Sequence, residues 1–262
     1  MPTSEGGARS RKAFRDELRR TIRAVETRHC AANISRLSLG VDEVDARLGS
    51  SGLTAAALHE IAPTDYRSTP AAMGFLLALA RSAFAAKDGT VVWTLLSDGA
   101  RSFGHPNAST LRHWGIDPPS VLFVRCASSR DALWTLEEGL KSNALFLALG
   151  SRPSGMDFTM SRRLQLAAVE SGTPVLLLRH HDDDTPSAAV TRWRVSPAPS
   201  SQDRYGFMKN PRWRVVLEHA RGGHVGEWVM EWDHDALCLR LSAGLGGRAF
   251  SQSTKRAAAI GG

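Results

Sequence analysis

Four short runs, TVVWTLL (90–96), SVLFVRC (120–126), ALFLALG (144–150) and PVLLLRH (174–180), are apolar at nearly every position and rich in Val, Leu and Phe. A strand with one wet face alternates; a continuously apolar strand needs cover on both faces, as in a parallel sheet. The segments between them, Pro70–Ala86, Ala108–Trp114, Arg130–Lys141 and Thr159–Ser171, read as helices, and the connection lengths suit right-handed crossovers. Together they predict an α/β fold, a mostly parallel central sheet flanked by helices.

The texture changes near Thr191. TRWRVSP (191–197), a Pro/Ser patch (196–206) and strand candidates at Trp213–His219, Glu227–Trp232 and Ala236–Leu241 follow, several of them alternating polar and apolar residues as one-sided antiparallel strands do. Trp213, Val215 and Leu217 then share a face, as do Trp228, Met230 and Trp232. These tryptophans read first as core, with a partner-binding stripe through Trp213, Trp228 and Trp232 as the functional alternative. Trp93, Trp114, Trp134 and Trp193 read as core or helix packing.

Upstream, Arg9–His29 reads as a helix with one apolar stripe, Phe14, Leu18, Ile22 and Val25. Its other face is basic: Arg9 to Arg28 holds eight Lys/Arg, among them Arg11, Lys12, Arg15, Arg19, Arg20 and Arg23, against Asp16, Glu17 and Glu26, a net +5. Two readings stand, a solvated helix packed on its own domain and an arm for a partner or a phosphate backbone. The division expected is a basic amphipathic arm at 1–33, one domain at 34–243 and a flexible basic tail at 244–262.

A chain of 262 residues, 42% hydrophobic, can bury a full core. Its formal charge of +7 favours contact with nucleic acid or an acidic partner without requiring either. Cys30, Cys126 and Cys238 lack CxxC spacing, so neither a disulfide framework nor a zinc site is suggested. No apolar run approaches the roughly 18 to 20 residues of a membrane span, and MPTSEGGARSRK lacks a secretory core. A soluble cytoplasmic protein is expected, with no membrane contact.

The stretch HEIAPTDYRSTPAAMGFLLALA (59–80) reads as strand end, tight loop and helix, where a nucleotide-binding protein carries its phosphate loop. In the GxxxxGK[ST] register, Ala62 and Arg67 stand at the glycines, Ser68 at the lysine and Thr69 at the hydroxyl position, with Pro63 inside the loop. Only Thr69 keeps the required type. Added side chains crowd a loop whose backbone must approach the ligand, and the lysine charge is gone. Loss of ATP hydrolysis is expected, with no catalytic residues and no cofactor. His180-His181-Asp182-Asp183-Asp184 reads as a solvated loop, because consecutive residues cannot all converge on one ion; no metal is expected. No GxSxG is present.

Residues 34–80, ISRLSLGVDEVDARLGSSGLTAAALHEIAPTDYRSTPAAMGFLLALA, resemble the entry into the RecA recombinase core, and HWGIDPPSVLFVR (113–125) continues the likeness to about residue 195. Where that family keeps a catalytic glutamate the chain offers Ser97 and Asp98; where it keeps a strand aspartate for magnesium, Leu149 and Gly150. With the basic leading helix and WRVVLEHARGGHVGEWVMEWD (213–233), including the Arg-Gly-Gly turn at 221–223, the chain resembles the ImuA family of bacterial translesion-synthesis accessory proteins. The resemblance implies a RecA-like core and a non-catalytic role in a damage-induced complex with the inactive Y-family-like polymerase ImuB, an error-prone replicative-type DNA polymerase and RecA, at the nucleoid when DNA is damaged. Direct DNA binding stays open. So do two other readings, a divergent RecA-like ATPase or single-stranded-DNA-binding recombination mediator, and a SulA-type cell-division inhibitor.

Overall fold

A computed structural model describes residues 36–49, 52–86, 89–96, 106–202 and 204–242, together with Glu17. The leading stripe (Phe14, Leu18, Ile22, Val25), the basic face (Arg11, Lys12, Arg15, Arg19, Arg20, Arg23), Ser97, Asp98 and the tail lie outside the described residues. In chain order the elements are β1 (Arg36–Leu37), α1 (Asp42–Arg47), β2 (Leu53–Thr54), β3 (Leu58–Pro63), a 3-10 turn (Tyr66–Ser68), α2 (Thr69–Ala86), β4 (Thr90–Leu96) and α3 (Ala108–His113). A second 3-10 turn (Pro118–Ser120), β5 (Val121–Cys126), α4 (Ser129–Lys141), β6 (Leu145–Ser151), α5 (Phe158–Ser171) and β7 (Val175–Leu178) follow. β8 (Thr191–Ala198), β9 (Arg212–Ala220), β10 (Gly226–Asp233) and β11 (Cys238–Leu241) close the described chain.

Among the described residues, nine strands form one sheet in the order β11-β10-β9-β8-β3-β7-β6-β4-β5. Strands β3 to β8 pair in parallel with one another, and β8-β9-β10-β11 continue as an antiparallel ladder. This is an α/β fold, a mostly parallel sheet flanked by helices, consistent with a RecA-like core. The four continuously apolar runs are its parallel strands β4 to β7, as expected. β3 is central, and its crossovers run to strands on one side until β8 returns to the other. That reversal is a topological switch point, the place where open α/β sheets bind ligands at their carboxyl ends.

The two faces have different cover. On one, α2 packs with Phe75, Leu76 and Leu79 against Ile61, Leu176, Trp193 and the inner face of the antiparallel strands. α2 is apolar around most of its circumference, which suits a helix with no broad wet face. On the other, α4 and α5 cover the parallel half through Leu136, Leu140, Leu164 and Ala168. The outer face of the antiparallel half is polar and laced by cross-strand pairs: Arg194–Glu218 at 2.8 Å, Arg240–Asp233 at 3.0 Å, Arg212–Glu231 and Arg214–Glu227.

Trp213, Trp228 and Trp232 are 3%, 3% and 1% exposed, so the core reading holds and the partner-binding stripe offered as its alternative is corrected. Trp213 lies so close to α2 that a Cβ at Gly74 would fall 2.8 Å from its ring. β8, read as the start of the antiparallel texture, is parallel to β3 and antiparallel only to β9. It alternates because its outer face is half exposed.

The Arg-Gly-Gly turn docks against the end of α1. His224 N–H donates to Arg47 O at 2.8 Å, and a Cβ at Gly223 would lie 2.4 Å from that same oxygen. Only glycine fits there.

Candidate functional site

The switch point brings together the turn after β3, the ends of β6 and β7, and the 180–187 loop. β3 does not stop at Ala62 but runs through Pro63, which stands opposite Val195, and Thr64 N–H donates to Val195 O at 3.0 Å. Two positions expected in the loop, Ala62 and Pro63, are therefore buried strand.

Asp65 then caps the turn. Its carboxylate accepts from Ser68 N–H at 2.9 Å and Ser68 Oγ at 3.0 Å. These bonds, the side-chain one first, hold its pKa below the ordinary aspartate value. A helix N-terminus with free N–H groups is an anion site; here a carboxylate of the chain itself takes that place. Ser68 is buried and Arg67 exposed. Thr69, the one retained residue type, donates its hydroxyl to Tyr66 O at 2.7 Å.

The strand positions beside it are closed too. Gly150 stands opposite Thr94 on β4, and a Cβ at Gly150 would fall 2.1 Å from Thr94 Oγ1, which donates to Leu149 O at 3.4 Å. No side chain, let alone a carboxylate, enters that position without displacing Thr94. Leu149 is buried.

The dominant electrostatic feature is Glu60, fully buried in mid-β3. Its Oε1 accepts from Arg152 Nε at 3.2 Å and its Oε2 from Arg179 Nη1 at 2.6 Å and Ser187 Oγ at 2.8 Å. Arg152 and Arg179 follow β6 and β7, and their positions come from the ladder: Arg152 N–H donates to Leu178 O and Arg179 N–H to Ile61 O, both at 2.7 Å. Arg179 also organises the next loop, donating to Thr185 O at 2.9 Å, Asp183 Oδ1 at 3.1 Å and Asp183 O. Asp183, which Arg152 also meets, is thus drawn out of the solvated run expected for 182–184. Burial pushes its pKa up, but the Thr185 hydrogen bond and the two guanidinium charges prevail and hold it below the usual value.

On the other side of β3, His59 is buried with Nδ1 2.7 Å from Thr191 Oγ1 and Nε2 2.9 Å from Thr54 O. Burial drives its pKa down to about 4 against the opposing bond to Thr54, so it is neutral near pH 7. The sequence reading missed Glu60, Arg152, Arg179 and His59. The available signal was HEI, two polar residues inside an otherwise apolar buried strand, which demands partners.

The ligand atoms of His180, His181 and Asp182, three of the five residues in the run, lie within 4.8 Å of one another. His180 and Asp182 are exposed and pair with each other through Nδ1 and Oδ1. His181 meets the Tyr66 ring edge-on at 6.2 Å. Cys126 and Cys238 are free thiols. No described helix is long and apolar enough to cross a membrane.

No family model matches the chain. Two curated relatives, both named Protein ImuA and from Caulobacter vibrioides strains NA1000 / CB15N and ATCC 19089 / CIP 103742 / CB 15, are each 29% identical to it over 214 residues, covering 74% of this chain and 82% of the relative. These relatives support the resemblance of the chain to the ImuA family.

Proposed function

We propose that this chain is a non-catalytic accessory protein of SOS-induced, error-prone translesion DNA synthesis, an assembly factor built on a RecA-like core that no longer holds nucleotide. The observation that carries this reading is the Asp65 carboxylate seated on the Ser68 N–H in the turn that leads into α2, where a phosphate would have to bind. The spent Thr69 hydroxyl and the closed Gly150 position add support. The resemblance to the ImuA family supplies the damage and mutagenesis context.

The partners proposed are ImuB, an error-prone replicative-type polymerase and RecA, with the stripe of Phe14, Leu18, Ile22 and Val25 as one contact. The basic face of the same segment is the place for any direct DNA contact. Tagged chain recovered from DNA-damaged cells is expected to bring ImuB and the polymerase with it, and Leu18→Glu with Ile22→Glu is expected to abolish that recovery while the domain stays folded. Recovery of neither partner with the unaltered chain would refute the assembly role.

A further inference from the structure

The most exposed apolar side chains among the described residues fall together. Phe207, Tyr205 and Met208 are 71%, 68% and 66% exposed, and all three sit at the tip of the β8–β9 hairpin. β8 continues through Ser196–Ala198 past Val195, which stands level with the end of β3, so the tip projects beyond the parallel sheet. The hairpin is a shaped element: Lys209 N–H donates to Ser201 O at 3.0 Å, Gln202 bridges Met208, and Gly206 at φ +83° makes a reversal that other residues resist. Its root is tied by Asn210 Nδ2 to Glu231 at 3.1 Å and by Arg212 to the same carboxylate.

The Arg204 guanidinium carbon lies 4.6 Å from the Tyr205 ring centroid, and Lys209 follows Met208. Aromatic residues, Met and Arg are the types enriched in the buried centres of protein interfaces, and Tyr and Arg are frequent energetic anchors. We propose that this tip docks into an apolar cleft rimmed by carboxylates on a partner protein.

Charge selects that occupant. Residues 199–211 hold Arg204 and Lys209 against Asp203, a net +1, which suits an acidic rim. A single-stranded nucleic acid needs a cationic groove that tracks several phosphates. The neighbouring Arg194 and Arg212 are already paired with Glu218 and Glu231. An unbranched, polarisable methionine exposed beside two aromatics suits an adaptable protein contact.

The proposal rests on the assembly reading above and gives that assembly a contact element separate from the leading stripe. Its test titrates the full chain, and a Tyr205→Ser, Phe207→Ser, Met208→Ser variant, against immobilised purified ImuB and against labelled single-stranded DNA. The variant is expected to keep the parent's circular dichroism and melting midpoint and to bind ImuB about 30-fold more weakly or worse, the loss expected of interface anchors. An Arg204→Glu, Lys209→Glu variant is expected to weaken binding most at low salt. Equal binding of ImuB by parent and triple variant overturns the docking tip and leaves the assembly reading standing. Absence of ImuB binding by the parent overturns the docking tip together with the ImuB contact of the assembly reading. Loss of DNA binding with ImuB binding unchanged reassigns the tip to nucleic acid and overturns the proposal.

Discussion

Glu60 is a strand residue whose carboxylate lies between two arginines that are themselves 2% and 1% exposed at the side chain. Burying three charges is costly, and the arrangement holds because nearly every donor has an acceptor. Removing the centre leaves two enclosed guanidinium groups without it. Glu60→Ala is expected to lose about 3–5 kcal/mol in urea denaturation, the range for breaking one partner of a buried pair; a loss under about 1 kcal/mol would show that water reaches the arginines. His59 adds a pH dependence. Its folded pKa of about 4 lies below the unfolded value near 6.5, so the unfolded state takes up the proton first. The stability from neutral His59 is complete above about pH 6.5 and is lost as pH falls toward 4, amounting to about 3 kcal/mol by linkage. Denaturation at pH 7.5 and pH 4.5 should show the loss, and His59→Leu should reduce it.

At the scale of elements, strand–strand closeness sets what can change. Gly150→Ala puts a methyl 2.1 Å from Thr94 Oγ1 and is expected to cost about 1–3 kcal/mol, as overpacking does. Adding Thr94→Ala should recover part of that loss, and a double-mutant cycle measures the coupling. Additive losses would separate the two positions. The parallel strands were legible in the sequence because burial on both faces writes an unbroken apolar run, and the crossover helices followed from the gaps between them. β8 was legible as a strand but not in its partnership, since alternation reports a wet face and not the direction of the neighbour. The tryptophan faces were read correctly as faces, yet periodicity cannot say which side a helix covers; α2 decides that for Trp213. Asp183 was misread for a related reason. Its arginine partners arrive from the ends of two other strands, and nothing local in HHDDD announces them.

Across the described residues, cover is asymmetric. Helices enclose the parallel half on both sides, while the antiparallel half shows water a lattice of Arg–carboxylate pairs and sends out the exposed hairpin tip. The carboxyl end of β3, where such a sheet would take a ligand, instead carries the chain's own groups: Asp65 on the 3-10 turn that leads into α2 and Thr69 on a backbone carbonyl. The proposed assembly role follows from this arrangement, with surfaces as the proposed working parts. Equilibrium titration of the full chain with fluorescent ATP and magnesium tests this most directly. The account predicts no saturable binding up to about 1 mM nucleotide, corresponding to less than about 4 kcal/mol of affinity. Saturable binding below that concentration, abolished by Thr69→Ala, would contradict it.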